Sequence, residues 1–557
     1  MSNRRKKKVK LKVGRIVIAL VLLLLAVFVT YKLVMMTTKV ISKKYFLASD
    51  NTIVKLYSYA DDKLTEAKEV SRGVEVSSND KTIEVDNNTY IKIKYEDVEY
   101  FVNSLNVSDT KKDSVLEKEK YVRTSSTIYK DEKNPYILSF VKKGNKVEIL
   151  DYDYLKDNGS VNMYKIKYND NEGYVYSKYL VNTEEEALAN YNENSVYDTH
   201  KDRKYSYELY GGKASTLDYY PYEKPEFEDN KLLTEAYTIY LNGAAAGSVD
   251  EYINLAKDTG INAMVVDIKD GVLAYKSEVA KTYSPTAYEN ALRSMDEYRA
   301  SIKKIKDAGY YVIGRIVVFN DDHYGKDHPE DCIVSNVSYR RWPSAYSRGA
   351  WEYNVMLARE AVTEMGFNEI QFDYVRFPED SFNMSRSSGT DFKNKYNEEK
   401  AEAVQNFIFY AADQIHNVGA YFSVDVFGEC SSTYVTAYGQ YWPAISNVVD
   451  VISSMPYTDH FDRSNSVYWT NPYKTMYDWG SLSAARQKEI PTPAVARTWI
   501  TAYDTPYWNP TVTYDASKIK DQIKGLEDAG LKGGVLTWNV RSSTYKYNQI
   551  KSAFPIK

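Results

Sequence analysis

The sequence predicts an α/β protein: a (β/α)8 TIM barrel, preceded by a transmembrane helix and two small all-β modules. Three observations predict it. From residue 236 onward, eight short apolar runs alternate with amphipathic helical stretches. Before that, YIKIKYEDVEYFVNSLNV at 90–107 is echoed by MYKIKYNDNEGYVYSKYLV at 163–181, a repeat of roughly 75 residues with strand-like alternation and turn signals. At the start, residues 16–31 form an unbroken apolar run that residues 33–36 extend past Lys32.

The apolar run is long enough to span. At 1.5 Å per residue, roughly 20 residues cross a bilayer core of about 30 Å, and 16–36 meets that length. No small-residue cleavage pattern follows it, which disfavours a signal peptide. Eight Lys and Arg residues between Arg4 and Arg15, with no acid, are expected to hold the 1–15 leader in the cytoplasm. The expectation is therefore a single-pass membrane protein whose remaining chain is extracellular.

Composition excludes other classes. The net charge of −4 leaves a more acidic body once the basic leader is set apart, so a phosphate backbone would be repelled and no nucleic-acid partner is expected. Two cysteines, Cys332 and Cys430, exclude a disulfide scaffold and Cys-cluster zinc sites. His323 and His328 share a loop without a zinc spacing, and no metal or cofactor is called for. No Gly-x-Ser-x-Gly elbow supports serine-hydrolase chemistry. The 54 tyrosines suit carbohydrate handling and also suit β-rich cores, because the ring serves both.

The two all-β modules are read at 45–108 and 121–182. The second also carries TSSTIYKD (124–131) and KKGNKVEIL (142–150), and both resemble bacterial SH3-like domains. That resemblance implies cell-wall peptide or glycan as a partner; a spacer role stays equally open. Residues 183–235 read as a linker, acidic and helical at 183–194, then punctuated by Gly211, Gly212, Pro221 and Pro225.

The barrel is read at 236–555. Its apolar runs are YTIYLNG (237–243), AMVVDI (263–268), YVIGRIVVF (311–319), EIQFDYVRF (369–377), AYFSVDVFG (420–428), VISSMPY (451–457), PAVARTWI (493–500) and GGVLTWNV (533–540). A doubly wound open sheet is the alternative. It calls for a Gly-rich phosphate turn after the first strand, a spacing that LNGAAAG at 241–247 lacks. Active sites of such barrels sit at the C-terminal strand ends. Polar residues interrupt the runs there: Asp267, Lys269 and Asp270, Arg315, Asp373 and Arg376, Asp425 and Glu429, Tyr457 and Asp459, Arg497 and Trp499, and Trp538. A charge in an apolar strand is costly unless paired or functional, so this collection points to a site.

EIQFDYVRFPED at 369–380 strongly resembles the motif of a glycoside-hydrolase-like domain family, long labelled a domain of unknown function and related in fold to alpha-amylase-like barrels. MVVDIKDG (264–271), GRIVVFND (314–321), FSVDVFG (422–428) and ISSMPYTDHF (452–461) match as well. The resemblance implies a glycosidase, which needs two carboxyl groups flanking the scissile bond. It points to Asp373 as nucleophile or stabilising carboxylate. Arg376 is the cation read beside it, holding it ionised. Asp425 and Glu429 are equal candidates for the acid/base, with Asp459 behind them. Asp267, Lys269, Asp270, Arg315, Arg376, Tyr457, Asp459, Trp499 and Trp538 are expected to bind substrate, a cell-wall or environmental polysaccharide or peptidoglycan. The competing expectation is a wall-binding surface protein that has a cleft but no competent carboxyl pair.

Overall fold

The computed structural model describes residues 13–37, 42–189 and 208–556. Most of the basic leader and residues 190–207 of the expected linker lie outside the described residues.

Residues Val13–Thr37 form a helix, but the membrane anchor expected of it is not supported. Among the described residues, no helix is long and apolar enough to cross a membrane. The membrane partnership and the extracellular placement, both deduced from the anchor, lose their basis with it.

The chain divides into two compact units, residues 1–119 with 149–164, and residues 120–148 with 165–557. A seven-stranded sheet occupies residues 43–108, and a second occupies 119–181. Counted within each sheet, the strands lie in the same order, 3-2-6-5-4-1-7. Each also closes with a 3-10 turn, Ser104–Asn106 in the first and Ser177–Tyr179 in the second. The repeated YKIKY pattern is thus a duplicated topology. In the first sheet the alternation buries Leu47, Val54, Leu56, Val76, Ile93 and Val102 on one face.

Aromatic residues of the second copy pack within their own unit. The ring of Tyr129 lies 6.1 Å from Tyr410, and that of Tyr179 lies 5.7 Å from Phe409. The Tyr179 and Tyr222 hydroxyls donate to Asp413 at 2.8 and 2.9 Å, and Lys178 meets the same carboxylate at 2.5 Å. Phe409, Tyr410 and Asp413 of the barrel thus pack against these tyrosines. The SH3-mediated wall partnership is not supported.

The barrel strands are β1 (Ala236–Leu241), β2 (Ala263–Asp270), β3 (Tyr311–Val317), β4 (Glu369–Asp373), β5 (Tyr421–Phe427), β6 (Val451–Met455), β7 (in two pieces, Val495–Ala496 and Thr498–Thr501) and β8 (Gly534–Trp538). All run parallel and pair in sequence order, and β1 also pairs with β8. The ring is nearly closed, interrupted inside β7 at Arg497. Helices cover the outside, so the strands are buried on both faces and read as continuous apolar runs. Local signals set the helix ends. Ser347 caps Arg348–Met365 through the Ala350 N–H, and Gly366, at φ +70°, stops that helix.

Arg497 is buried and reaches the N-terminal end of β4. Its Nη1 donates to both oxygens of Glu369, the first residue of β4, at 2.9 and 3.0 Å. It is a structural clasp away from the strand C-termini.

Candidate active site

Four aspartates and one arginine meet at the C-terminal ends of β2 to β5. Arg315 projects from β3 and is 2% exposed. Its Nη1 donates to Asp267 Oδ1 at 2.8 Å and Asp270 Oδ2 at 3.1 Å, and its Nη2 to Asp373 Oδ2 at 2.7 Å. Its Nε lies 3.9 Å from Asp425 Oδ2. Parallel register brings them together: Asp267 pairs with Arg315 across β2 and β3, and Asp373 with Val317 across β3 and β4.

One guanidinium cannot neutralise three carboxylates held out of water, Asp267, Asp373 and Asp425, so the site holds on to protons. Burial pushes Asp267 up to about 6, against the pull of Arg315. Its Oδ2 accepts from the Tyr240 hydroxyl at 2.5 Å. Asp425, 1% exposed, is pushed well above the usual carboxylate range, first by burial and then by the charge of Asp373. Its Oδ1 accepts from the Trp499 indole at 2.8 Å, and its Oδ2 has no hydrogen-bond partner.

Asp373 is fixed from two sides. Oδ2 takes Arg315, and Oδ1 accepts from the backbone N–H of Tyr374 at 2.6 Å. Tyr374 has φ +56°, a left-handed conformation that costs a non-glycine residue about 1–2 kcal/mol. Strain of this kind concentrates at functional sites, where the surroundings enforce it. Aromatic rings form the wall. Tyr240 and Trp538 lie 4.7 Å apart, Trp499 meets Trp538 edge-on at 5.7 Å, and Tyr457 is 6.3 Å from Trp538. The Arg315 guanidinium sits 5.6 Å from the Tyr240 ring and 5.5 Å from that of Trp538. A cavity of about 760 Å³ lies at the other end of the barrel, beside Glu235, Ala496 and Gly533, remote from this chemistry.

The model of the family described as "Putative glycosyl hydrolase domain" matches residues 238–545, more than half of the chain. The chain belongs to this family. No curated protein matches it. Among solved structures, a hypothetical protein from Ruminiclostridium thermocellum is 31% identical, covering 34% of this chain and 97% of its own, with a TM-score of 0.29. The PgaB (BpsB) glycoside hydrolase domain from Bordetella bronchiseptica is 12% identical over 57% of this chain and 99% of its own, with a TM-score of 0.41. A class V chitininase from Pseudomonas fluorescens is 12% identical over 57% of this chain and 100% of its own, with a TM-score of 0.37. At these scores the function has to be argued from the residues of this chain.

Other candidates of the glycosyl hydrolase domain sit apart from the Arg315 cluster. Lys269 is buried in a separate group, bonding Asp321 at 2.5 Å and Asn354 at 2.8 Å, and burial lowers its affinity for a proton. Arg376 does not pair with Asp373. It bonds Glu379 at 2.7 Å and is enclosed by the rings of Trp342, Tyr374, Phe427 and Tyr438. Glu429, on the 3-10 turn after β5, accepts from Tyr434 at 2.5 Å and Tyr438 at 3.0 Å. Asp459 accepts from Tyr503 at 2.6 Å. The sequence reading missed Tyr240, whose place inside the YTIYLNG run put it on an inward face. It also missed Tyr374, for which a tyrosine carries no signal of left-handed backbone.

Proposed function

We propose that this domain is a glycoside hydrolase acting on a polysaccharide, with Asp373 and Asp425 as its carboxyl pair. The observation that carries the reading is the sharing of Arg315 by two carboxyl groups in opposed environments. Asp373 is ion-paired, while Asp425 is buried with one oxygen unpartnered. A carboxylate held by an arginine beside a carboxyl group that burial keeps protonated supplies what glycoside cleavage needs. Asp373, paired with Arg315, faces the anomeric carbon and either attacks it or stabilises its developing positive charge. Asp425 holds the proton that leaves with the departing oxygen. Glu429 is set aside, because its carboxylate is engaged by two tyrosines away from Arg315.

A second reading, a glycan-binding barrel without a competent pair, draws on the sealing of Asp425 at 1% exposure. Reducing-sugar release from cell-wall and environmental polysaccharides separates the two. The full chain should release sugar, and Asp373→Asn and Asp425→Asn should lose that release while remaining folded. Saturable binding without release would favour the second reading, and unchanged release by Asp373→Asn would remove Asp373 from the pair.

A further inference from the structure

We infer that Trp499 is a positioning residue whose indole N–H fixes the proton of Asp425 on Oδ2, the oxygen facing Arg315. The inference rests on the reading of Asp373 and Asp425 as a carboxyl pair.

A neutral carboxyl group has two unlike oxygens, one a carbonyl acceptor and the other a hydroxyl donor. An indole nitrogen only donates. Trp499 Nε1 donates to Asp425 Oδ1 at 2.8 Å, and because a carbonyl oxygen is the better acceptor of the two, that bond favours the carbonyl at Oδ1 and the hydroxyl at Oδ2. Oδ2 is buried and takes no hydrogen bond, and Arg315 Nε, 3.9 Å away, is also without one. A charged Asp425 would draw that N–H into contact. The guanidinium instead commits its two terminal nitrogens to Asp267, Asp270 and Asp373. The charged and titratable groups acting on Asp425 are Asp373, Arg315, Tyr457 and, from the lower layer, Glu369. None of them donates to Oδ1, so the choice of oxygen is left to Trp499.

Trp499 also has a packing role, 6.1 Å from the Tyr240 ring and 5.7 Å from that of Trp538. Phenylalanine keeps an aromatic ring there and removes the donor. With the donor gone, nothing at Oδ1 holds the proton on Oδ2.

Infrared spectroscopy of the full chain at neutral pH tests this without a substrate. The carbonyl stretch of a neutral carboxyl group should be present and should disappear in Asp425→Asn. In Trp499→Phe the same band should persist at higher frequency, because its carbonyl has lost a hydrogen bond. An unmoved band in Trp499→Phe, or no band that depends on Asp425, overturns the inference. The indole N–H resonance of Trp499 in the unmodified protein covers the case of a variant that does not fold. Between about pH 5 and 8, where an ordinary carboxylate is already ionised, it should show no titration beyond the step near 6 that belongs to Asp267 and that Asp267→Asn removes, and a titration that survives in Asp267→Asn overturns the inference. Under the glycosidase reading, Trp499→Phe should also lower kcat about tenfold with KM unchanged. Inactivity of the parent protein with the infrared signature intact would sink the glycosidase reading alone.

Discussion

The guanidinium of Arg315 meets Asp373 Oδ2 at 2.7 Å, and it is this arginine of β3, not Arg376 just beyond β4, that faces the carboxylate. The same side chain touches Asp267 and Asp270, so its removal unpairs several carboxylates at once. Deleting one partner of a buried ion pair costs about 3–5 kcal/mol, chiefly through the charge left behind. Arg315→Met should therefore lose about 3 kcal/mol or more in urea unfolding at pH 7. The deficit should narrow by pH 5, because the unpaired carboxyl groups then take up protons in the folded state. An equal deficit at both pH values would mean that packing, not charge, explains the loss.

Asp267 adds a pH dependence of its own. Burial raises it to about 6 in the folded protein, against an unfolded value of about 3.9. The folded state binds this proton more tightly, so the contribution favours folding below about pH 4 and is lost as pH rises through 6. The shift corresponds to about 2–3 kcal/mol. Urea unfolding of the parent and of Asp267→Asn, each at pH 4.5 and 7, should show the parent's stability relative to the variant falling over that interval. A constant difference would assign no such titration to Asp267.

The left-handed Tyr374 links backbone strain to carboxylate placement, since its N–H holds Asp373 Oδ1. Asparagine tolerates that conformation and a β-branched residue does not. Tyr374→Asn and Tyr374→Val both lose the ring, which lies 4.6 Å from the Arg376 guanidinium. Their difference isolates the backbone. Valine should be the less stable by about 1 kcal/mol or more, measured by chemical denaturation. Equal stability would show that the loop relaxes without cost.

The barrel strands were legible because both-face burial leaves uninterrupted apolar runs, and Asp267, Asp373 and Asp425 stood out as charges inside them. Side-chain direction was harder to read where the backbone departs from regular alternation. Two residues beyond Asp267, Lys269 belongs on the same face by period, yet the register shifts between them and Lys269 turns to Asp321. Likewise Tyr374 reverses the chain after Asp373 and delivers Arg376 into an aromatic enclosure. The duplicated sheet topology was visible in YKIKY, a local pattern. The grip of Lys178, Tyr179 and Tyr222 on Asp413 was not, because it joins positions nearly two hundred residues or more apart, and no local period records such a contact.

That grip is itself testable. Asp413 is buried and accepts from two tyrosine hydroxyls and an ammonium group, so its loss strands the Tyr179 and Tyr222 hydroxyls in a buried setting. Each buried polar group left unsatisfied costs about 1–3 kcal/mol. Asp413→Ala should therefore destabilise the unit by about 3 kcal/mol in urea unfolding. Tyr222→Phe removes a donor and leaves the acceptor two others, so it should cost about 1 kcal/mol. If Asp413→Ala cost no more than Tyr222→Phe, the rings packed on Phe409 and Tyr410 would hold the second sheet's residues to the barrel without help from the carboxylate.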